Sequence, residues 1–194
     1  SIEEQKQYIE SRACFSSNFP SPKGYGYIKG FYSEELLSGQ NINLLSTEER
    51  IRTLKMISSS CLSAKNEIHY PAYSFDLIER AFDAIDNLLT DLRLKKIINS
   101  RKEIILNASR KWKSIFCHND LTAHNLVMRE GKPYVIDLAP HKLTNLPPFL
   151  MPATLIHSEF FEYGRFDLLE AFNNGEFDKE FSDLYLVEIN DKAS

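Results

Sequence analysis

Short apolar runs alternate with polar, turn-forming residues between positions 114 and 137, and this is the most regular pattern in the chain. One apolar run precedes a polar stretch, a second covers 126–128, and a third covers 134–136 after the turn-forming residues 129–133. Runs of this length bounded by turn signals are typical of short strands. The pattern therefore predicts strand, loop, strand, turn and strand, with Asp137 just beyond the last strand.

Helical patterns dominate the rest of the sequence. The mixture of apolar and polar residues at 3–15 predicts a helix, and residues 46–49 have the Ser-Thr-Glu-Glu composition of a capping box, which predicts a helix start at Ser46. Apolar residues at three- and four-residue spacing then favour helices. The further helices predicted in this way cover 77–92, 100–111, 153–163, 166–172 and 177–186. Four prolines between positions 140 and 152 predict an irregular segment after Asp137.

Residues 23–32 combine aromatic side chains with three glycines, Gly24, Gly26 and Gly30. We interpret this segment as an aromatic strand that ends in a turn at Ser33, with glycines where another backbone approaches closely. The alternative is a glycine-rich loop that holds a phosphate group.

Composition and charge indicate a globular protein that does not bind nucleic acid. The chain has 194 residues and a mass of 22.4 kDa, and 43% of its residues are hydrophobic, which is enough for one substantial core. The net charge of −4 and the pI near 5.8 give no excess of basic residues to hold a phosphate backbone. The sequence therefore argues against a nucleic acid partner. It gives no indication of whether the protein is a monomer or an oligomer.

The sequence also favours a reducing compartment. It contains no apolar run near the roughly 20 residues of a transmembrane helix, and its polar N-terminus lacks the apolar stretch of a signal peptide. The three cysteines, Cys14, Cys61 and Cys117, are odd in number and do not have metal-site spacing. We therefore expect no transmembrane segment, no disulfide framework and a cytoplasmic location.

The polar loop carries the residues with the clearest chemistry. Asp120 and Asn125 stand near the two ends of the loop, and Asp137 follows the last predicted strand. A His-x-Asp-x-x-x-x-Asn loop followed by an apolar strand and Asp is a kinase-type signature. In such a site, Asp120 is the catalytic carboxylate that accepts or orients the proton of an acceptor hydroxyl. Asn125 and Asp137 are the expected metal and cofactor-binding residues, because Mg²⁺ prefers oxygen ligands.

His118, Asp120, Asn125 and Asp137 match, position by position, the catalytic loop and metal-binding Asp of one kinase group. The sequence therefore resembles the aminoglycoside phosphotransferase and choline kinase group of the protein-kinase-like fold, and it is also similar to bacterial lipopolysaccharide core sugar kinases. The resemblance implies an α+β fold, namely a kinase-like C-terminal lobe that is mostly helical with a short catalytic β-hairpin. It also implies ATP as co-substrate, Mg²⁺ as cofactor, a small-molecule or carbohydrate acceptor, and a structural role for His118 in supporting the loop.

Two departures refine the resemblance. Asn119 stands where small-molecule kinases often have Gly and protein kinases have Arg, and Leu138-Ala139 replaces the Phe-Gly that follows the metal Asp in protein kinases. These differences favour a small-molecule or sugar kinase over a protein kinase.

The resemblance also bears on domain organisation. If 23–32 is the strand that leads to the hinge, then 3–15 matches the helix of the N-terminal lobe, and the glycine loop and its lysine belong upstream of Ser1. We therefore expect residues 1–32 to be a remnant of the N-terminal lobe and hinge strand, with that lobe absent or only partly present, and 33–194 to be the C-terminal lobe. Either the sequence is a fragment, or the protein lacks part of the nucleotide clamp.

Other functions stay open at this stage. The missing part of the clamp motivates an alternative, a catalytically inactive kinase-like module that binds or regulates. A metal-dependent hydrolase is less favoured, because no His-rich ligand set accompanies the carboxylates. The many acidic residues after position 152 fit either a cationic acceptor or solvated helix faces.

Overall fold

The protein is described here by a computed structural model that covers residues 1–64, 75–109 and 114–185. The helices in these ranges are α1 (Ile2–Asn18), α2 (Thr47–Ser63), α3 (Phe75–Leu88), α4 (Leu92–Ser109), α5 (Leu150–Tyr163), α6 (Asp167–Asn173) and α7 (Asp178–Tyr185). The strands are β1 (Gly24–Ile28), β2 (Phe31–Glu34), β3 (Gln40–Asn41), β4 (Ile115–His118), β5 (Leu126–Arg129), β6 (Lys132–Val135) and β7 (Leu143–Leu146). The predicted helix ends at 110–111 and 186 lie outside the described residues.

In the described residues the strands form three small antiparallel sheets, and two of them flank the polar loop. β1 pairs with β2, β5 lies between β3 and β6, and β4 pairs with β7. The loop that follows β4 therefore runs from one sheet into another, and residues after β6 return to the first through β7. The predicted strand-loop-strand-turn-strand order at 114–136 is confirmed, and the fold is the predicted mostly helical α+β arrangement with a short β-hairpin.

One apolar core connects α1, the strands of the loop region and the C-terminal helices. Its fully buried side chains include Phe15, Phe116, Leu126 and Leu155, and α2 packs against α5, α6 and α7 around them. Burial of one such side chain stabilises the fold by about 1.5–3 kcal/mol. The loop after β4 is thus anchored at both ends in the core. In the part of the chain that the structure describes, no helix has the length and apolarity needed to cross a membrane.

The N-terminus of α2 confirms the predicted capping box. The hydroxyl of Ser46 accepts a hydrogen bond from the backbone N–H of Glu49 at 3.3 Å, and the Glu49 carboxylate accepts one from the backbone N–H of Ser46 at 3.0 Å. These bonds satisfy two backbone donors that a helix end leaves without partners. The motif involves only residues within one helical turn, so it could be recognised from the sequence alone.

The prediction of one uninterrupted strand at 23–32 is wrong. The chain turns back at Lys29 and Gly30, which have φ values of 51° and 84°, and Ile28 pairs with Phe31 across the turn. Two successive residues with positive φ are typical of a tight hairpin turn, and Gly30 adopts this conformation without strain. The segment is therefore a hairpin, with the turn four residues earlier than the predicted turn at Ser33.

The prediction of an irregular segment after Asp137 is also wrong in part. Residues 143–146 form β7, in which Leu143 pairs with His118 and Leu146 with Ile115. Leu143 and Asn145 are buried while their neighbours are partly exposed, which is the alternation of a half-buried strand. The prolines flank this strand and leave its backbone donors intact, so they do not prevent pairing.

Candidate active site

His118 connects two backbone segments of the loop region. It lies at the end of β4 with 1% of its surface exposed. Its Nδ1 accepts a hydrogen bond from the backbone N–H of Asp120 at 3.2 Å, and its Nε2 lies 3.0 Å from the carbonyl oxygen of Asp137. A backbone N–H donates only and a carbonyl accepts only, so the ring carries its proton on Nε2. Burial lowers the pKa of His118 and so favours this neutral form.

Asn125 closes the loop onto Asp120. Its Nδ2 donates to the carbonyl oxygen of Asp120 at 2.8 Å, which identifies the amide nitrogen because the carbonyl accepts only. The side-chain oxygen of Asn125 accepts no hydrogen bond from any residue that the structure describes. The backbone carbonyl of Asn125 accepts a hydrogen bond from Ile136 N at 2.9 Å, which places Asn125 beside the residue that precedes Asp137.

Asp137 lies just beyond β6 in an unusual backbone conformation. Its φ is 57°, a left-handed value that few residues other than glycine adopt, although Asp tolerates it better than most. Its carboxylate turns toward the loop, because Oδ2 lies 2.5 Å from the ammonium nitrogen of Lys142. The backbone carbonyl of Asp137 thus contacts the His118 ring. Its side chain contacts the ammonium group of Lys142, as the side chain of Asp120 does.

Lys142 joins the two carboxylates. Its Nζ donates to Oδ2 of Asp120 at 2.8 Å and to Oδ2 of Asp137 at 2.5 Å. These two hydrogen bonds raise the pKa of Lys142, so the side chain is an ammonium ion. The carboxylates remain accessible, since 44% and 51% of their side-chain surfaces are exposed, against 16% for Lys142. Asp120, Asp137 and Lys142 therefore form a surface cluster with one net negative charge.

The sequence prediction missed Lys142. It ends a short 3₁₀ turn, Pro140–Lys142, whose backbone is fixed by two hydrogen bonds to Asn119: Asn119 N donates to Lys142 O at 2.8 Å, and Asn119 Nδ2 to His141 O at 3.1 Å. Pro140, at the start of this turn, was the available signal that the chain changes direction there. It did not indicate that Lys142 would face the loop.

The donor atoms at this cluster suit a hard divalent cation. The second carboxylate oxygens, Oδ1 of Asp120 and Oδ1 of Asp137, accept no hydrogen bond from the described residues, and neither does the amide oxygen of Asn125. Asp137 offers a carboxylate oxygen and Asn125 an amide oxygen, which are oxygen donors of the kind that Mg²⁺ binds, with the remaining positions left to water or phosphate. Within residues 1–64, 75–109 and 114–185, no group of three His, Cys, Asp or Glu side chains is placed to hold a metal.

Cys117 is the nearest thiol and lies in the core. Its side chain is fully buried, and burial raises its pKa to about 12. A nucleophilic cysteine is instead a thiolate in a partly exposed, electropositive environment. Cys117 therefore belongs to the packing of β4.

Two of the acidic residues after position 152, the buried Glu159 and the partly exposed Asp167, form ion pairs within the protein. Glu159 is completely buried beside Arg50 and Arg165, with its Oε2 at 3.4 Å from a nitrogen of each. Asp167 accepts hydrogen bonds from Arg50 and from Thr47, the latter at 2.7 Å. Both carboxylates have cationic partners within the protein, and Glu159 is in addition closed to solvent, so it is not available to a cationic acceptor.

The sequence has no counterpart among family models or curated proteins, but its structure resembles solved kinases. No family model matches it, and no curated protein matches it. The aminoglycoside phosphotransferase APH(3″)-Id from Streptomyces rimosus, solved with ADP and streptomycin, matches 94% of this chain over 82% of its own, with 15% identity and a TM-score of 0.51. A gentamicin complex of APH(2″)-IIa matches 98% of this chain over 77% of its own, with 16% identity and a TM-score of 0.44. A glucosamine kinase matches 93% of this chain over 59% of its own, with 9% identity and a TM-score of 0.46.

Of these three structures, the Streptomyces rimosus enzyme has a TM-score above 0.5 and therefore shows the fold. Its identity of 15% is too low to carry substrate or activity from one chain to the other. The match extends over nearly the whole chain, including the helices on both sides of the polar loop. The chain therefore has the kinase-like fold of the aminoglycoside phosphotransferases, as its catalytic-loop pattern predicted.

Proposed function

We propose that this protein is an ATP-dependent phosphotransferase that transfers the γ-phosphoryl group to a hydroxyl of a small molecule or carbohydrate. One observation carries the proposal: a single nitrogen, Lys142 Nζ, contacts both Asp120 and Asp137, while Asn125 bonds to Asp120. Two accessible carboxylates, 17 residues apart in sequence, thus share one ammonium group, and the buried Asn125 bonds to the first of them. This is the donor set that phosphoryl transfer requires.

Asp120 is the catalytic residue in this proposal. Its carboxylate is half exposed, and its Oδ1 accepts no hydrogen bond from the described residues. An acceptor hydroxyl can therefore donate its proton to this oxygen without displacing a protein contact. Asp120 would then orient the hydroxyl oxygen toward the γ-phosphorus and take its proton as the new O–P bond forms and the bond between the γ-phosphorus and the ADP leaving group breaks.

Asn125 and Asp137 are the proposed ligands of Mg²⁺ and, through it, of the nucleotide. When bound, Mg²⁺ supplies positive charge that offsets the charge on the phosphate oxygens. Asn125 contributes a neutral oxygen and Asp137 a charged one. His118 fixes the position of Asp137 relative to Asp120, because its ring forms hydrogen bonds with the backbone of both residues.

The Streptomyces rimosus enzyme, which shares the fold, was solved with ADP and streptomycin, and we extend the combination of a nucleotide and a small-molecule ligand to this chain as part of the proposal. The replacement of Phe-Gly by Leu138-Ala139 supports a small-molecule acceptor over a protein. The buried free thiols Cys14, Cys61 and Cys117 fit the cytoplasmic setting that the sequence predicts.

We also propose that α1 and the β1–β2 hairpin are the part of an N-terminal lobe that this chain contains. The predicted boundary at residue 32 would cut β2, which ends at Glu34, so we place the boundary after Glu34. The C-terminal lobe then begins with the segment that leads into β3. Arg12 of α1 contacts Glu34 of β2 at 2.6 Å, which ties the two elements of the smaller unit together.

Acceptor-dependent phosphoryl transfer tests the proposal. The full chain is incubated with Mg²⁺, γ-labelled ATP and a panel of aminoglycosides, hexoses and hexosamines, and labelled product is counted. We expect transfer to at least one acceptor and a loss of about 100-fold or more in Asp120→Asn. Asp183→Asn, which changes an exposed carboxylate on α7, should keep the wild-type rate. Equal rates for wild type and Asp120→Asn with every acceptor would overturn the proposal.

A second candidate is a kinase-like binding module without catalysis. Lys142 favours it, because its ammonium group already neutralises one of the two carboxylates. Calorimetry of ATP binding with and without Mg²⁺ separates the candidates. Mg²⁺-dependent ATP binding supports the phosphotransferase, and the absence of any ATP binding supports the module.

A further inference from the structure

Lys142 occupies a position that the proposed chemistry leaves unexplained. We propose that Lys142 is a resident counter-ion that keeps free divalent cations from Asp137, so that a cation binds there only when its ammonium group leaves that carboxylate. The preferred ligand is then a divalent cation already bound to a nucleoside triphosphate. This inference rests on the proposed function, because it takes Asp137 as a metal ligand.

The geometry makes the two cations competitors. Lys142 Nζ lies 2.5 Å from Oδ2 of Asp137 and 2.8 Å from Oδ2 of Asp120, so one positive charge is placed between the two carboxylates. A divalent cation bound to Asp137 would lie within a few ångströms of this ammonium, and like charges at such separations repel strongly. The ammonium also holds Oδ2 of Asp137 and leaves only Oδ1 to the cation. The Lys142–Asp137 contact therefore opposes binding of a cation at Asp137.

The side chain can leave Asp137 without rearranging the fold. The backbone of Lys142 is fixed, because its N–H donates to Ala139 O at 2.9 Å and its carbonyl accepts from Asn119 N at 2.8 Å. The four-carbon stem beyond this fixed backbone has several rotatable bonds. Rotation about these bonds moves the ammonium away from Asp137, and its second hydrogen bond to Asp120 gives it a place to stay.

The choice of a nucleotide-bound cation follows from charge. The cluster of Asp120, Asp137 and Lys142 has one net negative charge, so it attracts a free cation only weakly once the ammonium is counted. Triphosphate oxygens offer the displaced ammonium new acceptors and bring their own cation, so binding of the complex compensates for the lost Lys142–Asp137 contact. Lys142 is thus a positioning residue that couples cation binding to nucleotide binding.

Binding of Mn²⁺ in the absence of nucleotide and acceptor tests the inference. Free Mn²⁺ is measured by electron paramagnetic resonance during titration of wild type, Lys142→Met and Lys142→Arg. We expect Lys142→Met to bind Mn²⁺ about tenfold or more tightly than wild type, because an isosteric side chain without charge no longer competes. Lys142→Arg keeps the charge and should stay within about threefold of wild type.

Two controls place the effect at this cluster. Lys132→Met removes an exposed positive charge at the start of β6 and should leave Mn²⁺ affinity within about twofold of wild type, because exposed charges are screened. Asp137→Asn in the Lys142→Met protein should abolish the gained affinity. Lys142→Gln, which is neutral and polar, replaces Lys142→Met if thermal unfolding shows that the latter does not fold.

The Mn²⁺ affinities of the neutral Lys142 variants decide the inference. Tighter Mn²⁺ binding by the neutral variants, lost again with Asp137→Asn, supports the inference. Equal or weaker binding by the neutral variants, including no detectable binding by any protein, overturns it. Because the titration contains neither ATP nor acceptor, a failure of phosphoryl transfer in the activity experiment leaves this result unaffected, and the two proposals fail separately.

Discussion

Asn125 donates from Nδ2 to the carbonyl oxygen of Asp120 at 2.8 Å and so closes the polar loop across five residues. Asn125 is 7% exposed, so this bond is formed largely out of contact with water. The amide oxygen is left without a partner among the described residues, on the same side chain that fixes the loop. The amide nitrogen of Asn125 thus stabilises the loop, while its amide oxygen is the atom that we propose as a metal ligand.

Replacement of Asn125 by Ala should destabilise the protein by about 1–3 kcal/mol, because the carbonyl group of Asp120 loses its side-chain donor. Urea unfolding followed by circular dichroism measures the free energy of unfolding. Asn173→Ala, at an exposed position at the end of α6, is the matched control and should lie within about 0.5 kcal/mol of wild type. Wild-type stability in Asn125→Ala would contradict the importance of the bond.

His118→Ala removes a donor and an acceptor at once. The backbone N–H of Asp120 and the carbonyl of Asp137 both lose their ring partner, so we expect a loss of about 2 kcal/mol or more in the free energy of unfolding. The exposed His157, which packs on Phe161, provides the control, since His157→Ala should change stability by less than about 1 kcal/mol. If the two alanine variants were equally stable, His118 would not hold the loop.

Glu159 predicts a pH dependence of stability. Burial is the largest influence and raises the pKa of Glu159, while Arg50 and Arg165 act in the opposite direction with smaller effect. In the unfolded chain the pKa of Glu is about 4.3. Between this value and the raised pKa of the folded state, the folded protein binds the proton and the unfolded chain does not. The contribution of Glu159 to stability is therefore present below the unfolded pKa and is lost as pH rises through the folded pKa.

Glu159→Gln keeps the size of the side chain and does not titrate. The free energy of unfolding of Glu159→Gln, relative to wild type, should therefore increase as pH rises from 4 to 7, and urea unfolding at each pH measures it. Glu10→Gln, an exposed glutamate on α1, should show a much smaller change. A relative stability that falls with rising pH would show that the ion pairs with Arg50 and Arg165 outweigh the cost of burial.

Features that depend on neighbouring residues could be predicted from the sequence. The capping box at Ser46 acts within one helical turn, and the spacing of apolar runs around the polar loop is set by the strands themselves. The hairpin turn was missed because Lys29-Gly30 is not one of the common turn pairs, such as Asn-Gly, that identify a two-residue turn.

Features that depend on tertiary contacts could not be predicted in this way. Lys142 is five residues beyond Asp137, and only the folded turn after Pro140 brings its ammonium group between two carboxylates. Glu159 is on the same helix as the exposed Glu162, and its cationic partner Arg50 comes from α2, which is far away in sequence. Charged residues at such positions have no sequence pattern that distinguishes an internal partner from solvent.

The division of roles between Asp120 and Asp137 is the central claim, and the Mg²⁺ dependence of ATP affinity tests it most directly. Calorimetry with and without Mg²⁺ compares wild type, Asp120→Asn and Asp137→Asn under identical conditions. We expect Asp120→Asn to retain Mg²⁺-dependent ATP binding within about threefold of wild type, because the acceptor proton is not involved in nucleotide binding. Asp137→Asn should lose the Mg²⁺ dependence, since it removes the charged metal ligand. Loss of the Mg²⁺ dependence in Asp120→Asn with retention in Asp137→Asn would contradict the account.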